Sequence, residues 1–495
     1  MNATSPPINL ADCSYVAWAL HTGPASAIPL WKGSLWIAGE WTGANSDLSE
    51  AQVRGDIDAR VQCLVQAFNK ARAQLSDSQK QKALNIFVTS EFYSHAKEGP
   101  YPNIRLADLP PFDYLRVALQ DALSKVSLLP AEKWIFLSGS VLTCSESDFR
   151  KVIQSSEAQS RLSALNKALH ALAAEKGFRS AAEFRAHGVH MKGLCYARNA
   201  LTLTAGEQAI DALMTEFQAA PLCVVRNRGL AFTLSASGVE VTGYEKQDES
   251  TVDLTMGKLV DSGGEIKLDP AGMITEWVAG YPSISIINGD KQVPDTPLAA
   301  RYTVTNLTPA PLQIGVEICL DHNYKRLRRT VNMTVARGAA ANNPPLHLQL
   351  VPSGGMQILD FSVSAGTNGV VFNSDGCDPI FDVYTVDGKH VIEGSGTFKK
   401  ITAGVYASSA QTLVQQGEEQ YYSHSQLSFR SGGEMESYDN ASGTHNANGA
   451  TFTGNPPANP MLDSYPLASR IPVQISAVPG LFAAGFGEFH LYAKP

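Results

Sequence analysis

The chain has 495 residues, of which 44% are hydrophobic and 17% are charged, and its formal net charge is −8. A chain of this length exceeds the usual single domain, and its apolar content is sufficient for a sizeable core. The modest negative charge gives no electrostatic footprint for nucleic acid, and no stretch reaches the apolar length of a membrane span. We therefore expect neither nucleic acid nor a membrane among its partners.

The seven cysteines are scattered along the chain, without the Cys-x-x-Cys pairs that are typical of metal sites. An odd number of cysteines in a long chain indicates free thiols and a reducing compartment. The first residues lack the charged start and continuous apolar segment of a secretory signal. We predict a cytoplasmic protein that binds no metal and needs no cofactor.

Strands and helices are predicted to alternate in the first third of the chain. A strand near residues 15–20 precedes an amphipathic helix, in which apolar residues recur every three or four positions at Ile57, Val61, Leu64, Val65 and Phe68. A buried strand over residues 85–89, a helix over 113–123 and a strand over 134–137 follow. This alternation is typical of the α/β class.

The later part of the chain departs from this alternation. A helical pattern over about residues 147–217 predicts an insertion, either as a layer or lid beside a site or as a peripheral helix pair. We predict one domain over residues 1–400 that includes this insertion, and a C-terminal extension over 401–495. Within the extension, a strand over 420–430 precedes a turn-rich loop over about 431–460, and the last apolar segment is expected to cover a sheet edge or a subunit interface.

Three chemically capable residues follow predicted strands. Glu91 comes just after the strand 85–89, Lys246 follows an alternating strand, and Cys319 lies in the segment IGVEICLDHN, where an apolar strand leads into a turn. Chemistry in α/β proteins is common at the carboxyl ends of strands, and a cysteine at such a turn is placed beside a backbone N–H group. Each residue alone also fits a structural role, since a single cysteine is often a small buried apolar residue and lysine is usually a solvated charge.

Taken in the order Glu91, Lys246, Cys319, these residues resemble the triad of the nitrilase superfamily, the carbon–nitrogen hydrolases. The segment CVVRNRGLAFTLSASGVEVTGYEK, residues 223–246, is similar to the paired strands that precede the family's lysine. LQLVPSGGM (348–356) and NGVVFNSDG (368–376) resemble the strand and loop after the nucleophile and the next core strand. The chain departs from the family in its longer intervals between triad residues and in Asn323 and Tyr324, where many members have an arginine and an aromatic residue.

The resemblance implies an α/β fold of the four-layer αββα sandwich type, with the helical segment inserted, and a homodimer or larger homo-oligomer. It also implies hydrolysis of a non-peptide carbon–nitrogen bond in a small-molecule amide or nitrile. Cys319 would be the nucleophile, Glu91 a general base in a closed pocket that raises its pKa, and Lys246 with the backbone N–H of Leu320 the oxyanion partners.

A second glutamate of the family cannot be aligned to a single position. Glu276 is our candidate, and Glu249 and Glu265 are alternatives. Within the family, the residues that follow Cys319 favour an amide over a nitrile substrate, because nitrilases proper tend to have a Trp-Glu pair there.

Two hypotheses from other functional classes stay open. The chain could be a catalytically silent binding or scaffold protein on the nitrilase fold, with Cys319 unreactive. A papain-like cysteine protease using Cys319 and His322 is disfavoured, because neighbouring residues on a turn rarely point at one another and the protease signatures are missing.

Overall fold

The computed structural model describes a large part of the chain. The described residues are 8–22, 48–96, 99–144, 155–179, 205–206, 208–209, 212, 223–246, 258–262, 265–269, 285–287, 301–323, 326–327, 346–359, 362–376, 384–385, 398–399, 409–416, 419–432, 461–475, 481–482 and 485–492.

The described helices are α1 (Glu50–Ala73), α2 (Asp77–Lys82), α3 (Pro111–Ser124), α4 (Ser156–Glu175) and the short α5 (Leu320–Asn323). The described strands are β1 (Ser14–Ala19), β2 (Asn85–Thr89), β3 (Lys133–Cys144), β4 (Cys223–Ser235), β5 (Gly238–Glu245), β6 (Lys258–Ser262), β7 (Glu265–Asp269), β8 (Ser285–Ile287), β9 (Arg301–Val304), β10 (Leu312–Val316), β11 (Leu346–Ser353), β12 (Ala365–Asp375), β13 (Tyr384–Thr385), β14 (Phe398–Lys399), β15 (Ser409–Gln416), β16 (Glu419–Gly432), β17 (Met461–Ser464), β18 (Ser469–Pro472) and β19 (Glu488–Tyr492).

The first sheet has the strand order β18-β19-β1-β2-β3-β4-β5, and β8 also pairs with β4. Its central strands β1, β2 and β3 are parallel, whereas β19 and β4, which flank them, run antiparallel. Every residue of β1 and β2 is buried. Burial on both faces explains why the sequences of these strands are nearly continuous apolar runs.

The second sheet has the strand order β15-β16-β12-β11-β10-β9, and β17 pairs with β16. Strands β10, β11 and β12 are parallel, and β9 and β16 run antiparallel at their sides. Both large sheets are therefore mixed.

Helix α1 packs on the outer face of the first sheet, as its spacing predicts. Ser49 begins the helix with a capping box that it forms with Gln52. Phe68 lies edge-on against three aromatic rings of the sheet, those of Phe87, Trp134 and Phe136. Helix α3 contributes Leu115, Leu119 and Leu123 to the same apolar cluster.

The inner face of the first sheet packs against the second sheet. Successive side chains of β1 alternate between the two faces, so that Val16 and Trp18 join the helix-side cluster while Tyr15 and Ala17 join the other. That second cluster includes residues from both sheets, among them Ile86, Ile135, Ile314, Leu348 and Phe372. The described residues therefore form three successive layers, helices, first sheet and second sheet, which confirms the α/β class.

Several elements differ in extent from the predictions. Strand β3 continues seven residues past the predicted end at residue 137, and β10 ends at Val316, so that Cys319 lies in the turn after it. The described part of the predicted helical insertion contains α4, and most of the loop predicted over 431–460 lies outside the described residues.

Strands after residue 400 take part in both large sheets. β15, β16 and β17 belong to the second sheet, and β18 and β19 extend the first. The division into domains stays a prediction. No helix in the described part of the chain combines the length and the apolar character needed to cross a membrane.

Candidate active site

The structure brings the predicted strand-end residues Glu91 and Lys246 together. Glu91 follows β2, Lys246 follows β5, and both side chains are completely buried. Nζ of Lys246 lies 2.9 Å from Oε1 of Glu91. A buried ion pair carries a large desolvation cost, so its presence at the ends of two strands marks a candidate functional site.

The carboxylate of Glu91 is held by further contacts. Nδ2 of Asn227, on β4, donates to the same Oε1 at 2.7 Å. The backbone of Glu91 is fixed as well, since its N–H donates to Ser353 O of the second sheet at 3.3 Å and its carbonyl accepts from the Thr22 hydroxyl. Asn227 and Lys246 therefore both donate to Oε1 of the carboxylate.

Cys319 lies in a sharp turn between β10 and α5. Its φ is +46°, in the left-handed region that non-glycine residues rarely adopt. The turn is fixed by backbone bonds from Cys319 N to Pro352 O at 3.1 Å and from His322 N to Cys319 O at 2.9 Å. Strained residues of this kind persist where the surrounding structure imposes them, and they are frequent in active sites.

Leu320, the predicted oxyanion donor, is the first residue of α5. Its backbone N–H has no acceptor within the helix, because the first four N–H groups of a helix lack an intrahelical partner. The position beside the cysteine is therefore suited to the role that the sequence predicts for it.

Cys319 and Glu91 both lie beside Gly354. Sγ of Cys319 lies 3.9 Å from the carbonyl oxygen of Gly354. A Cβ atom at Gly354 would stand 3.2 Å from Oε2 of Glu91 and 2.7 Å from Cε2 of Phe92. The missing side chain thus leaves room for the glutamate, whose Oε2 is the oxygen turned towards this loop.

Phe92 forms a second strained position, next to Glu91. Its φ is +57°, and its backbone N–H donates to Oγ of Ser140 at 2.9 Å. The ammonium group of Lys246 lies 5.9 Å from the centre of the Phe92 ring. An aromatic face at this distance attracts the ammonium group.

Asp375 organises the loop that carries Gly354. Its Oδ2 accepts hydrogen bonds from the Ser353 hydroxyl at 2.7 Å and from the backbone N–H groups of Gly355 at 2.8 Å and Met356 at 2.6 Å. Asp375 is completely buried at the end of β12. It fixes the loop that lies between the glutamate and the cysteine.

Arg326 joins the turn that contains Cys319 to the end of β5. Its Nη1 donates to Oδ2 of Asp321 at 2.7 Å and to the carbonyl oxygen of Glu245. Asp321 lies in α5, and Glu245 immediately precedes Lys246. The basic run that follows α5 thus includes a buried structural arginine.

His322 does not serve as a base for Cys319. Its Nδ1 lies 2.7 Å from Oε2 of Glu317, and its Nε2 accepts from the backbone N–H of Leu359 at 3.0 Å. Both ring nitrogens are engaged away from the thiol. This geometry argues against the papain-like alternative.

The three second-glutamate candidates receive no support from the described geometry. Glu276 and Glu249 lie outside the described residues, and Glu265 lies in β7, where the side chain is not described. Sequence reasoning assigned no role to the side chain of Asn227, although a carboxamide within an apolar strand is a signal of a buried polar contact. It also gave no role to Glu317, a carboxylate between Val316 and Ile318.

Two other cysteines provide a comparison for Cys319. Burial raises the pKa of the Cys63 thiol to about 11 and that of Cys13 to about 12. Both thiols are therefore protonated at neutral pH.

Within the described ranges, no group of three or more histidine, cysteine, aspartate or glutamate residues is arranged to hold a metal ion.

No protein-family model matches the chain, and no curated protein matches its sequence. The function is therefore inferred from the chemistry of the site.

Proposed function

We propose that the protein is a carbon–nitrogen hydrolase of the nitrilase type, which cleaves small-molecule amides with Glu91, Lys246 and Cys319. The observation that carries this proposal is the fully buried contact of 2.9 Å between Glu91 and Lys246, together with a cysteine held at φ +46° beside Gly354, which Glu91 also borders. A base, a cation and a nucleophile are the groups that amide cleavage requires.

In the first step, Glu91 accepts the proton of the Cys319 thiol as the sulfur attacks the carbonyl carbon. Oε2 is suited to this because Oε1 is occupied by Lys246 and Asn227. The carbonyl oxygen gains negative charge as the tetrahedral intermediate forms. The ammonium group of Lys246 and the backbone N–H of Leu320 stabilise that charge.

In the second step, protonated Glu91 transfers its proton to the leaving nitrogen. The carbon–nitrogen bond breaks, ammonia or an amine departs, and Cys319 is left as a thioester. Glu91 then takes a proton from water, the hydroxide attacks the thioester, and the acid is released with return of the proton to sulfur. Glu91 thus acts alternately as base and acid.

The four-layer αββα sandwich and the homodimeric or larger assembly belong to the same proposal. Support for the sandwich comes from the three described layers and from a further apolar cluster, which includes Val351 and Val371 of the second sheet and Val363 just before β12. A helical layer over that cluster would complete the sandwich. Cys13 and Cys63 are free thiols, which is consistent with the reducing cytoplasm we propose as the protein's location.

The proposal is tested by incubating the purified protein with a panel of small amides, carbamoyl compounds and nitriles, with released ammonia and intact mass as readouts. We expect ammonia release from an amide, and neither ammonia nor an adduct with Cys319→Ala of unchanged fold. Iodoacetamide should label Cys319 in the folded protein, whereas Cys63 serves as the unreactive internal control. No turnover with any compound, together with an inert Cys319, would favour the silent scaffold.

A further inference from the structure

We propose that Glu317 and His322 form a clasp that holds Cys319 in its reactive conformation, and that His322 is a positioning residue for the nucleophile. The two side chains are completely buried and lie 2.7 Å apart. Glu317 precedes Cys319 by two residues and His322 follows it by three, so that their hydrogen bond closes across the turn. The mechanism uses neither side chain directly.

The hydrogen bonds of His322 indicate which ring nitrogen carries the hydrogen in the neutral ring. Its Nε2 accepts from the backbone N–H of Leu359, and an acceptor nitrogen carries no proton in the neutral ring. The ring proton is therefore on Nδ1, which donates to Oε2 of Glu317. Nε2 of Gln349 also lies 3.4 Å from Nδ1, and the contacts at both ring nitrogens together fix the orientation of the ring.

Glu317 joins the clasp to the surrounding sheet. Its Oε1 accepts from the backbone N–H of Leu327 at 2.7 Å, and its Oε2 also accepts from Nε2 of Gln349 at 2.7 Å. Gln349 in turn accepts from the backbone N–H of Ser364 at 2.7 Å. The clasp thus ties the turn to β11 and to the segment before β12.

A carboxylate buried between apolar neighbours is costly to maintain, so Glu317, in the turn just after β10, adds no stability merely as a filler. The left-handed conformation of Cys319 is also unfavourable for a residue with a side chain. A network that closes over this one turn explains both features. Its function is to place Sγ relative to Glu91 and the N–H of Leu320.

Two substitutions of His322 separate its two contacts. The amide nitrogen of asparagine can take the place of Nδ1 and retain the donor to Glu317, whereas glutamine can supply an acceptor near the Nε2 position and loses that donor. We expect His322→Asn to retain the activity. We expect His322→Gln to lower kcat by about 100-fold, as for a small misplacement of a catalytic group, with KM unchanged.

The rate at which iodoacetamide labels Cys319, followed by peptide mass spectrometry, is the second readout. This rate should fall by at least about tenfold in His322→Gln and stay near the wild-type rate in His322→Asn. Glu317→Gln, which places an amide group against one of its donors, should behave like His322→Gln. If His322→Gln does not fold, Glu317→Gln takes its place in the test.

Gln426→Leu is the matched control. Oε1 of Gln426 accepts from the backbone N–H of Ile358, beside the Leu359 contact of His322, but Gln426 belongs to β16. We expect this variant to leave labelling of Cys319 unchanged. Equal labelling rates in His322→Gln, His322→Asn and the wild type would overturn the inference, and so would a loss of labelling in Gln426→Leu as large as in His322→Gln.

The expected change in kcat rests on the proposed function, whereas the labelling of Cys319 by iodoacetamide needs no substrate. A wild-type protein without hydrolytic activity but with clasp-dependent labelling would contradict the proposed function alone. An active wild type whose labelling and kcat are insensitive to the clasp variants would contradict the clasp alone.

Discussion

Asn227 and Lys246 both contact Oε1 of Glu91, at 2.7 Å and 2.9 Å. Two donors on one oxygen fix the rotation of the carboxylate, so that Oε2 is directed to the Gly354 side of the site. The lysine therefore has an orienting role besides its charge. The carboxamide of Asn227, which carries no charge, shares that role.

Asn227→Leu removes this donor at similar volume. A hydrogen bond to a charged group contributes about 1.5–3 kcal/mol, and each ~1.4 kcal/mol is tenfold in rate, so kcat/KM should fall by about 10- to 100-fold. Loss of a donor to the ionised form also raises the pKa of a carboxyl group, so the acidic limb of the kcat/KM profile should move to higher pH. Steady-state kinetics across pH checks both effects.

Asn306→Ala is the control for this substitution, because Asn306 is exposed and contacts Thr233 away from the site. It should leave kcat/KM and the pH profile unchanged. An Asn227→Leu enzyme with the wild-type profile would show that Lys246 alone orients the carboxylate.

Gly354→Ala tests the close approach between Glu91 and the loop. The new Cβ would meet the Phe92 ring at 2.7 Å and Oε2 of Glu91 at 3.2 Å, so one of them must move. We expect kcat to fall by about 100-fold and stability to fall by about 1–3 kcal/mol. Enzyme kinetics and urea unfolding measure the two quantities.

Gly55→Ala is the matched glycine control. Gly55 lies in α1 with no atom within 4 Å of its added Cβ, so alanine should raise helix stability by up to about 1 kcal/mol and leave kcat unchanged. Full activity in Gly354→Ala would mean that the loop and Phe92 adjust without moving the glutamate.

The positions of the three catalytic candidates could be predicted because local patterns mark where strands end. The apolar run before Glu91 and the alternation before Lys246 are signals within a few residues, and both strands are present. The contact between Asn227 and Glu91 joins residues 136 positions apart. No local period encodes such a contact, which arises only when β2 and β4 are placed on either side of β3.

The position of β19 in the first sheet could not be predicted from local sequence pattern either. The apolar segment near the C-terminus was expected to cover a sheet edge or a subunit interface, and in the structure β19 pairs with β1 inside the first sheet while β18 lies beyond it. Pairing partners depend on which edge the earlier strands leave open. That edge follows from the whole sheet order.

Lys246→Met should destabilise the folded protein strongly. It leaves the carboxylate of Glu91 buried without its cation, and breaking a buried ion pair in this way costs about 3–5 kcal/mol. The double variant Glu91→Gln, Lys246→Met should recover part of this loss, because neither remaining side chain carries a buried charge. Urea unfolding at neutral pH gives the free energies of unfolding for the double-variant cycle.

An exposed pair provides the comparison for this cycle. Asp121 of α3 and Lys125, the residue after this helix, form an ion pair with both side chains largely exposed, so Lys125→Met should cost less than about 1 kcal/mol. A Lys246→Met loss no larger than that of Lys125→Met would contradict the buried character of the pair formed by Glu91 and Lys246.

His95, four residues after Glu91, should make the stability of the protein depend on pH. Burial, reinforced by the positive charge of Arg60, lowers its pKa from 6.5 to about 3. The folded protein therefore keeps His95 neutral, whereas the unfolded chain protonates it below about pH 6.5. Between these two pKa values the unfolded state binds one more proton, so the free energy of unfolding falls as the pH falls, by ~1.4 kcal/mol per pH unit from this group.

His95→Asn tests this linkage, because its amide can replace the Nδ1 donor to the Ala96 carbonyl, which lies 2.6 Å from Nδ1. Urea unfolding at pH 6, 5 and 4 should show a steeper loss of stability in the wild type than in the variant. Burial also lowers the pKa of His490, so both proteins retain that contribution and the difference between them isolates His95. Parallel curves for the two proteins would mean that His95 takes up a proton in the folded state, and that the segment after Glu91 opens to water at acidic pH.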